Sequence, residues 1–195
     1  MFGNPFARSG GDPHRLAVSM TGVKLGDRVA FVGVPDPGRV AAIAAKAGLS
    51  GRAAAVVPDA AAVTRVDKAA ASAGVLVDTD VADVQRLPYG DSEFDLAVCD
   101  DTGALLEQLS EDRRGAVARE VARILRPGGR VVVVGGGEPA GWNKLLSKSP
   151  ASPLVVSGAV NALLGANGFG IVRTLAEREG LVFVEGLKPR TPVTP

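Results

Sequence analysis

The stretch R-V-A-F-V-G-V-P-D-P-G-R-V-A-A-I-A-A-K-A, residues 28–47, contains the unit from which the fold is built. Its apolar first part predicts a buried strand over residues 28–34. Asp36 and Pro37 follow as a favoured N-cap and first helical residue, and they predict a helix over residues 37–47 that Gly48 ends. A strand, a tight loop and a helix in direct succession make residues 33–38 a candidate ligand-binding loop.

The same alternation of strand and helix continues along the chain. Further strands are predicted at residues 53–57, 75–77, 94–99 and 130–134, and further helices at residues 13–21, 59–73, 111–126 and 156–164. The Pro-Gly-Gly at residues 127–129 is interpreted as the stop of the third of these helices. Two last strands, at residues 170–175 and 181–187, flank A-E-R-E-G and predict a β-hairpin. We therefore expect an α/β fold: a Rossmann-like, doubly wound, mostly parallel seven-stranded sheet with a C-terminal antiparallel β-hairpin.

Composition excludes several classes of function. Lys and Arg number 22 against 21 Asp and Glu, so no basic excess favours a nucleic-acid partner. The single cysteine, Cys99, excludes an internal disulfide, and with the single histidine, His14, it predicts no metal site. No signal peptide is visible, and no apolar run approaches the ~20 residues that span a bilayer. We expect a cytoplasmic protein without an integral membrane segment.

Two nucleotide-binding motifs fail on the first loop, and a third fails elsewhere in the chain. Gly33 and Gly38 have the spacing of a P-loop, but Arg39 and Val40 follow where Lys and Ser or Thr are required. The loop also lacks the G-x-G-x-x-G pattern of dinucleotide-binding proteins. The only tyrosine, Tyr89, has no lysine four residues later, which excludes a short-chain dehydrogenase.

Two longer segments carry a specific resemblance. L-P-Y-G-D-S-E-F-D-L-A-V-C-D, residues 87–100, and E-V-A-R-I-L-R-P-G-G-R-V-V-V-V, residues 120–134, closely resemble motifs of class I S-adenosylmethionine-dependent methyltransferases. They look most like the small-molecule branch (type 11) that includes quinone-biosynthesis enzymes. The resemblance covers about residues 25–190, with residues 1–24 as a leader and N-terminal helix and residues 191–195 as a tail. It implies S-adenosylmethionine as cofactor and methyl transfer to an oxygen, carbon or nitrogen of a small-molecule acceptor.

The resemblance also implies where the cofactor binds. Asp59 is expected at the ribose hydroxyls, Asp83 at the adenine amino group, and Val84 is expected to supply a backbone N–H. Each of the two carboxylates has an alternative role as the cap of a helix or turn. The full expected set is Gly33, Val34, Asp36, Gly38, Asp59, Asp83, Val84 and Asp100. No catalytic residue is assigned, because direct methyl displacement needs no protein nucleophile and positioning supplies much of the acceleration.

The first loop departs from the family pattern D-L-G-x-G-x-G. Phe31 stands at the acidic position, and Pro35 or Asp36 replaces the middle glycine. Proline has no N–H to donate, and phenylalanine cannot pair with the cofactor's ammonium group. Two interpretations of Asp36 stay open: it repels the cofactor's carboxylate, or it replaces the missing acid as the ammonium partner. The alternative function is a non-catalytic, methyltransferase-like scaffold or regulator.

Four further features each have two interpretations. Asp100 and Asp101 are the best placed acids for a substrate pocket or a catalytic base, or they are solvated loop carboxylates. His14 covers the cofactor pocket or is simply solvated. Trp142 contacts a substrate or packs a cap, and the apolar stretch at residues 154–164 touches a membrane surface or forms a buried helix.

Overall fold

The computed structural model describes residues 12–137 and 151–190. The helices are α1 Arg15–Thr21, α2 Pro37–Ala47, α3 Ala60–Ala73, α4 Glu111–Ile124, α5 Pro153–Val156 and α6 Ala159–Ala166. The strands are β1 Arg28–Val32, β2 Arg52–Val57, β3 Asp78–Val81, β4 Phe94–Asp100, β5 Leu125–Gly136, β6 Ile171–Arg178 and β7 Leu181–Leu187. Among the described residues, no helix is both long enough and apolar enough to cross a membrane.

The strands form one seven-stranded sheet in the order β3-β2-β1-β4-β5-β7-β6. β1 to β5 are parallel, whereas β7 pairs antiparallel with both β5 and β6. The predicted fold, a mostly parallel sheet that ends in an antiparallel hairpin, is confirmed. The strand order reverses direction between β1 and β4, and in open α/β sheets ligands bind at the carboxyl ends of the strands beside such a switch point.

Apolar residues cover both faces of the sheet, as expected for parallel strands. One face packs under α1, α2 and α3, with Phe31, Ile43 and Val66 among its buried side chains. The opposite face packs under α4, α5 and α6, with Val121 and Leu164 among its buried side chains. Successive residues of a strand point to opposite faces, so the strands can pack against helices on both sides. The loops at the strand ends therefore lie between two layers of helices.

The two helices that follow β1 and β2 begin and end as the sequence predicts. Asp36 has an extended backbone and caps α2 with its carboxylate, with Pro37 as the first helical residue. Asp59 caps α3 in the same way, and Gly74 ends that helix with a left-handed backbone. The capping interpretation of both carboxylates is therefore correct, and it leaves open what else they bind.

Three predicted boundaries are wrong. The third strand is Asp78–Val81 and not residues 75–77, because Val75 and Val77 pack against the core as loop residues while a polar edge segment forms the strand. The helix before β5 ends at Ile124, because buried Leu125 pairs at once with Phe94 of β4. The Pro-Gly-Gly at residues 127–129 then lies in an irregular part of β5, before pairing resumes at Arg130.

The leader helix and the C-terminal helix also differ in detail. Asp12 does not cap α1; its carboxylate accepts from the backbone N–H of His14 at 2.9 Å, and α1 begins only at Arg15. The predicted helix at residues 156–164 is two short helices, α5 and α6, separated by Gly158 with a φ of 78°. Val160 and Leu164 of α6 are buried in the core, which agrees with the buried-helix interpretation of this stretch. Trp142 lies outside the described residues.

Candidate functional site

The loops after β1 and β4 lie in direct contact at the switch point. Gly33 has a φ of 75°, and a Cβ atom there would lie 2.8 Å from the carbonyl oxygen of Asp100 and 3.0 Å from Leu105. A Cβ atom on Gly103 would likewise lie 3.0 Å from Pro35. Position 33 therefore needs glycine for both its backbone angle and its close approach to β4.

A buried ion pair joins these two loops. Arg39, in the first turn of α2, is only 7% exposed, and its Nη1 donates to the carboxylate of Asp100 at the end of β4. Thr102 completes the pair: its backbone N–H and its hydroxyl donate to Asp100 Oδ1 at 3.0 and 2.6 Å. Arg39 Nη1 also lies 3.4 Å from the hydroxyl of Thr102. We call these three residues the Arg39 cluster.

Asp36 stands at the edge of this cluster. Its Oδ1 accepts from the backbone N–H groups of Gly38 at 3.1 Å and Arg39 at 3.3 Å. Its Oδ2 lies 3.5 Å from Arg39 Nη2 and 3.6 Å from His14 Nδ1, which are ion-pair distances outside normal hydrogen-bond length. The ring of His14 covers Gly38 so closely that a Cβ atom there would lie 2.7 Å from His14 Nε2. Half-buried His14 thus closes the N-terminal end of α2.

Burial dominates the electrostatics of the cluster. It raises the pKa of the Asp100 carboxyl, while the charge of Arg39 and the hydrogen bonds from Thr102 act in the opposite direction. The guanidinium has one unusual feature: Arg39 Nε is buried and has no hydrogen-bond partner within residues 12–137 and 151–190. A buried donor without an acceptor is costly, and such a group in a folded protein calls for a physical explanation.

The two acids predicted to bind the nucleoside follow adjacent strands and are exposed. Asp59, two residues after β2, uses Oδ1 to accept from the backbone N–H of Ala62 at 2.7 Å. Asp83, two residues after β3, accepts from the backbone N–H and the side-chain amide of Gln85. Those hydrogen bonds lower the pKa of Asp83, so it stays ionised well below neutral pH. Val84 beside it packs its side chain against the core.

Asp101 occupies a different environment from Asp100. It is fully buried, its Oδ1 accepts from the backbone N–H of Leu106 at 2.7 Å, and its Oδ2 has no partner among the described residues. Burial raises its pKa to about 6. The hydroxyl of Ser152 donates to the backbone oxygen of Asp101 at 2.9 Å and accepts from the N–H of Gly136 at 3.0 Å. Neither acid after β4 is therefore a solvated loop carboxylate.

The residues that differ from the family pattern lie in different environments. Phe31 is 1% exposed and packs in the core under α1 and α2, so it neither binds nor blocks a ligand. Pro35 is exposed on the loop, and Val34 is half-buried against the same core face. Sequence reasoning missed Arg39 as a site residue. No local pattern indicated it, because its partner Asp100 lies 61 residues further along the chain.

Two cavities of the described residues lie outside the region between Gly33, Asp59 and Asp83. A small apolar cavity of ≈ 20 Å³ sits between β4, β5 and α4, lined by Cys99 among others, and is too small for a nucleoside. Cys99 is buried there, and burial raises the pKa of its thiol. A groove of ≈ 420 Å³ lies at the opposite, amino ends of β2 and β3, beside Leu49 and Leu76. Within residues 12–137 and 151–190 no group of His, Cys, Asp or Glu side chains is arranged to hold a metal ion.

The strand order, with a C-terminal antiparallel hairpin, is that of a Rossmann-like domain. A family model described as a methyltransferase domain matches residues 32–133, just over half of the chain. The chain belongs to this family, and the family implies S-adenosylmethionine as the cofactor. The sequence matches none of the curated proteins with which it was compared.

Solved structures agree on the fold. An S-adenosylmethionine-dependent methyltransferase from Aquifex aeolicus is 17% identical, with a TM-score of 0.71 over 90% of this chain and 89% of that one. One from Methanosarcina mazei is 18% identical, with a TM-score of 0.61 over 87% and 95% of the two chains. The [4+2]-cyclase SpnF is 18% identical, with a TM-score of 0.67 over 91% and 80%. At these identities the similarity is one of fold.

The described residues fit the implied cofactor by their chemistry. Exposed Asp59 and Asp83 provide acceptors for hydroxyl and amino groups at two adjacent strand ends. The buried guanidinium of Arg39 retains a donor without a partner, and Asp36 Oδ2 makes no short hydrogen bond. A nucleoside joined to an amino acid has hydroxyl and amino groups, a carboxylate and an ammonium group. Acceptors, a cation and a further anion are the protein groups that complement them.

Proposed function

We propose that the chain is an S-adenosylmethionine-dependent methyltransferase that acts on a small-molecule acceptor. The observation that carries this proposal is the pair of exposed carboxylates, Asp59 and Asp83, after adjacent parallel strands beside the β1 loop. Adjacent strands lie about 4.8 Å apart, so both carboxylates border the same edge of the sheet. A carboxylate with two acceptor oxygens suits the paired ribose hydroxyls, and a second suits the amino group of adenine.

The protein's task in such a reaction is to hold and orient. When bound, the cofactor supplies an activated methyl group on a sulfonium. Gly33 permits close approach of the chain at the end of β1, and the buried Asp100, Asp101 and Thr102 form a wall at the end of β4 from which water is excluded. Fixed positions of donor and acceptor on a rigid sheet provide much of the rate enhancement of a direct displacement.

A small-molecule acceptor fits the charge of the chain better than a nucleic acid does. The chain has one net positive charge by formal count, and the charges of the candidate site are mostly acidic. A protein that binds a phosphate backbone usually carries a basic excess, and this chain has none.

The second candidate is a non-catalytic, methyltransferase-like protein. The observation that favours it is the tight contact of the β1 and β4 loops, in which Asp100 and Leu105 lie against Gly33. Pro35 also removes one backbone donor from this loop. The [4+2]-cyclase SpnF has a similar fold and is named for a reaction other than methyl transfer, so the fold alone does not fix the activity.

Calorimetric titration tests cofactor binding directly. S-adenosylmethionine and S-adenosylhomocysteine are each titrated into the intact chain, and we expect saturable heat with both. Asp59→Ser keeps a side chain able to cap α3 but removes the carboxylate, and Asp83→Ala removes the second carboxylate. Each variant is expected to bind S-adenosylhomocysteine roughly 10-fold more weakly, as for loss of one hydrogen bond to a charged group.

The matched control is Asp67→Ser, which removes the same charge from an exposed position two turns further along α3. It is expected to leave the affinity unchanged. The cofactor assignment fails if millimolar ligand produces neither heat nor a thermal shift. Equal losses in Asp59→Ser and Asp67→Ser would assign the effect to net charge and remove the ribose contact.

Catalysis is tested separately by release of S-adenosylhomocysteine in the presence of phenolic, amino and activated-carbon acceptors. Turnover with any of them supports the enzyme, and the preferred group identifies the acceptor chemistry. Tight cofactor binding without turnover on the whole panel would favour the non-catalytic candidate.

A further inference from the structure

The first loop lacks the acid that the family pattern places at the end of β1, and its charges lie on other residues. Phe31 at that position is sealed in the core. Asp36 and Arg39, at the start of α2, bring one carboxylate and one guanidinium to the carboxyl edge of the sheet. Asp100 adds a second carboxylate from the end of β4. Two opposite charges side by side are the complement of a zwitterion.

The guanidinium of Arg39 is occupied on one side only. Nη1 donates to Asp100 and Thr102. Nη2 faces Asp36 at 3.5 Å, and Nε is buried without a partner among the described residues. Nε and Nη2 share one edge of the planar group, and that edge is one of the two that bind a carboxylate through two parallel hydrogen bonds. The structure therefore leaves the edge of Arg39 that is suited to a carboxylate buried and without a short hydrogen bond among the described residues.

We propose that Arg39 receives the carboxylate of the cofactor's amino-acid end, and that Asp36 receives its ammonium group. This inference rests on the proposed function, since it concerns the same ligand. Asp100 and Thr102 act as positioning residues, because they hold Nη1 and so turn the Nε–Nη2 edge away from β4. Asp36 Oδ1 stays bound to the helix N-terminus, while Oδ2 makes only long contacts and is free to accept a closer one.

Entry of the carboxylate requires a movement. Arg39 is buried in the described conformation, and the two loops beside it are in contact, Leu105 with Gly33 and Gly103 with Pro35. These are contacts between two loops and not between core strands, so the movement that admits the ligand would separate the loops after β1 and β4. The cation itself stays in a poorly hydrated place, where a charge-assisted hydrogen bond is stronger than at an open surface.

Three ligands that differ only at the amino-acid end test the assignment. S-adenosylhomocysteine has both charged groups, its decarboxylated analogue keeps only the ammonium, and 5′-methylthioadenosine has neither. Calorimetric titration of the wild-type chain is expected to give roughly 10- to 100-fold tighter binding of S-adenosylhomocysteine than of the decarboxylated analogue. The decarboxylated analogue is expected to bind more tightly than 5′-methylthioadenosine because of Asp36.

Three variants test which residue causes each difference in affinity. Arg39→Met is expected to abolish the preference for the carboxylate while changing the affinity for 5′-methylthioadenosine by less than about twofold. Because Arg39→Met leaves Asp100 buried without its cation, the double variant R39M/D100N is measured beside it and must give the same ligand ratios. Asp36→Ser keeps a helix cap and is expected to abolish only the preference for the ammonium group.

Each failure has its own pattern. Loss of affinity for all three ligands by the same factor in Arg39→Met and in the double variant would overturn the inference and leave a structural pair. Binding of 5′-methylthioadenosine by the wild type with no binding of S-adenosylhomocysteine would overturn it as well, and would favour the non-catalytic candidate. Failure of the wild type to bind any of the three ligands would overturn the proposed function together with the inference.

Discussion

Arg39 and Asp100 form a buried ion pair, and we expect their contributions to the free energy of unfolding to be strongly coupled. Removal of Arg39 by Arg39→Met leaves the Asp100 carboxylate 5% exposed with only Thr102 as donor. Loss of one member of a buried pair costs about 3–5 kcal/mol of unfolding free energy. Asp100→Asn leaves a buried guanidinium with Asp36 at 3.5 Å, and is expected to cost about 2–3 kcal/mol.

The double variant R39M/D100N removes both charges. Asparagine keeps an oxygen that accepts from Thr102, and methionine fills much of the volume of the arginine stem. Replacement of a buried pair by neutral groups is often close to neutral, so the double variant is expected to lose at most about 2 kcal/mol. The two single losses would then exceed the double loss by about 3 kcal/mol or more.

Urea unfolding followed by far-ultraviolet circular dichroism measures all four free energies. Burial already raises the folded-state pKa of Asp100, and removal of the cation raises that pKa further. A carboxyl with a raised folded pKa loses stability as the pH increases, so Arg39→Met is expected to lose more stability between pH 4 and pH 7 than the wild type. The double variant has no carboxyl at position 100 and is expected to lack that extra loss.

Additivity of the two single losses within about 0.5 kcal/mol would refute the coupling. The reasoning would also fail if Arg39→Met and the wild type had the same dependence of stability on pH. Either result would mean that solvent reaches the pair in solution and screens it as it does a surface ion pair.

Three more predictions concern single positions, each measured by urea unfolding. Gly33→Ala is expected to lower the unfolding free energy by about 2–4 kcal/mol, because it adds a clash with the Asp100 carbonyl to the backbone strain. The control Gly74→Ala, at a φ of 67° with open space around it, is expected to lower it by only about 1 kcal/mol, the strain alone. Equal losses in the two variants would contradict the contact between the loops. The pKa of Asp101, about 6, exceeds its ordinary value near 4, so the carboxyl destabilises the fold as it ionises. As the pH rises from 4 to 7, the wild type is expected to lose up to about 3 kcal/mol of unfolding free energy relative to Asp101→Asn. A difference in unfolding free energy that does not change with pH would mean that Asp101 is hydrated. Asp59→Ala should cost about 1 kcal/mol through loss of the α3 cap, and Asp59→Ser much less; equal costs would remove the capping role.

The parts of the fold with strong local signals could be predicted from the sequence. The limits of α2 follow from Asp36, Pro37 and Gly48, because each of these residues acts on the backbone within its own turn. The hairpin follows from its two apolar strands, and the positive φ values of Glu179 and Gly180 confirm a tight turn there. Local chemistry decides these elements.

The parts that depend on distant partners could not be predicted. β3 is a polar edge strand, D-T-D-V, and only its pairing with β2 makes it a strand. The role of Arg39 depends on Asp100, which is 61 residues further along the chain, so no local pattern indicates the pair. The candidate acids Asp59 and Asp83 were predicted from the resemblance to the methyltransferase family, and each lies two residues after a strand.

The altered first loop carries its charges on different residues from those of the family pattern. The family pattern has one acid at the end of β1. Here Phe31 is neutral, and Asp36, Arg39 and Asp100 bring two carboxylates and one guanidinium to the switch point. These residues provide a cationic group that a single acid lacks. The buried Nε donor of Arg39 costs folding free energy while it has no partner among the described residues, and a ligand that accepts from it would offset that cost.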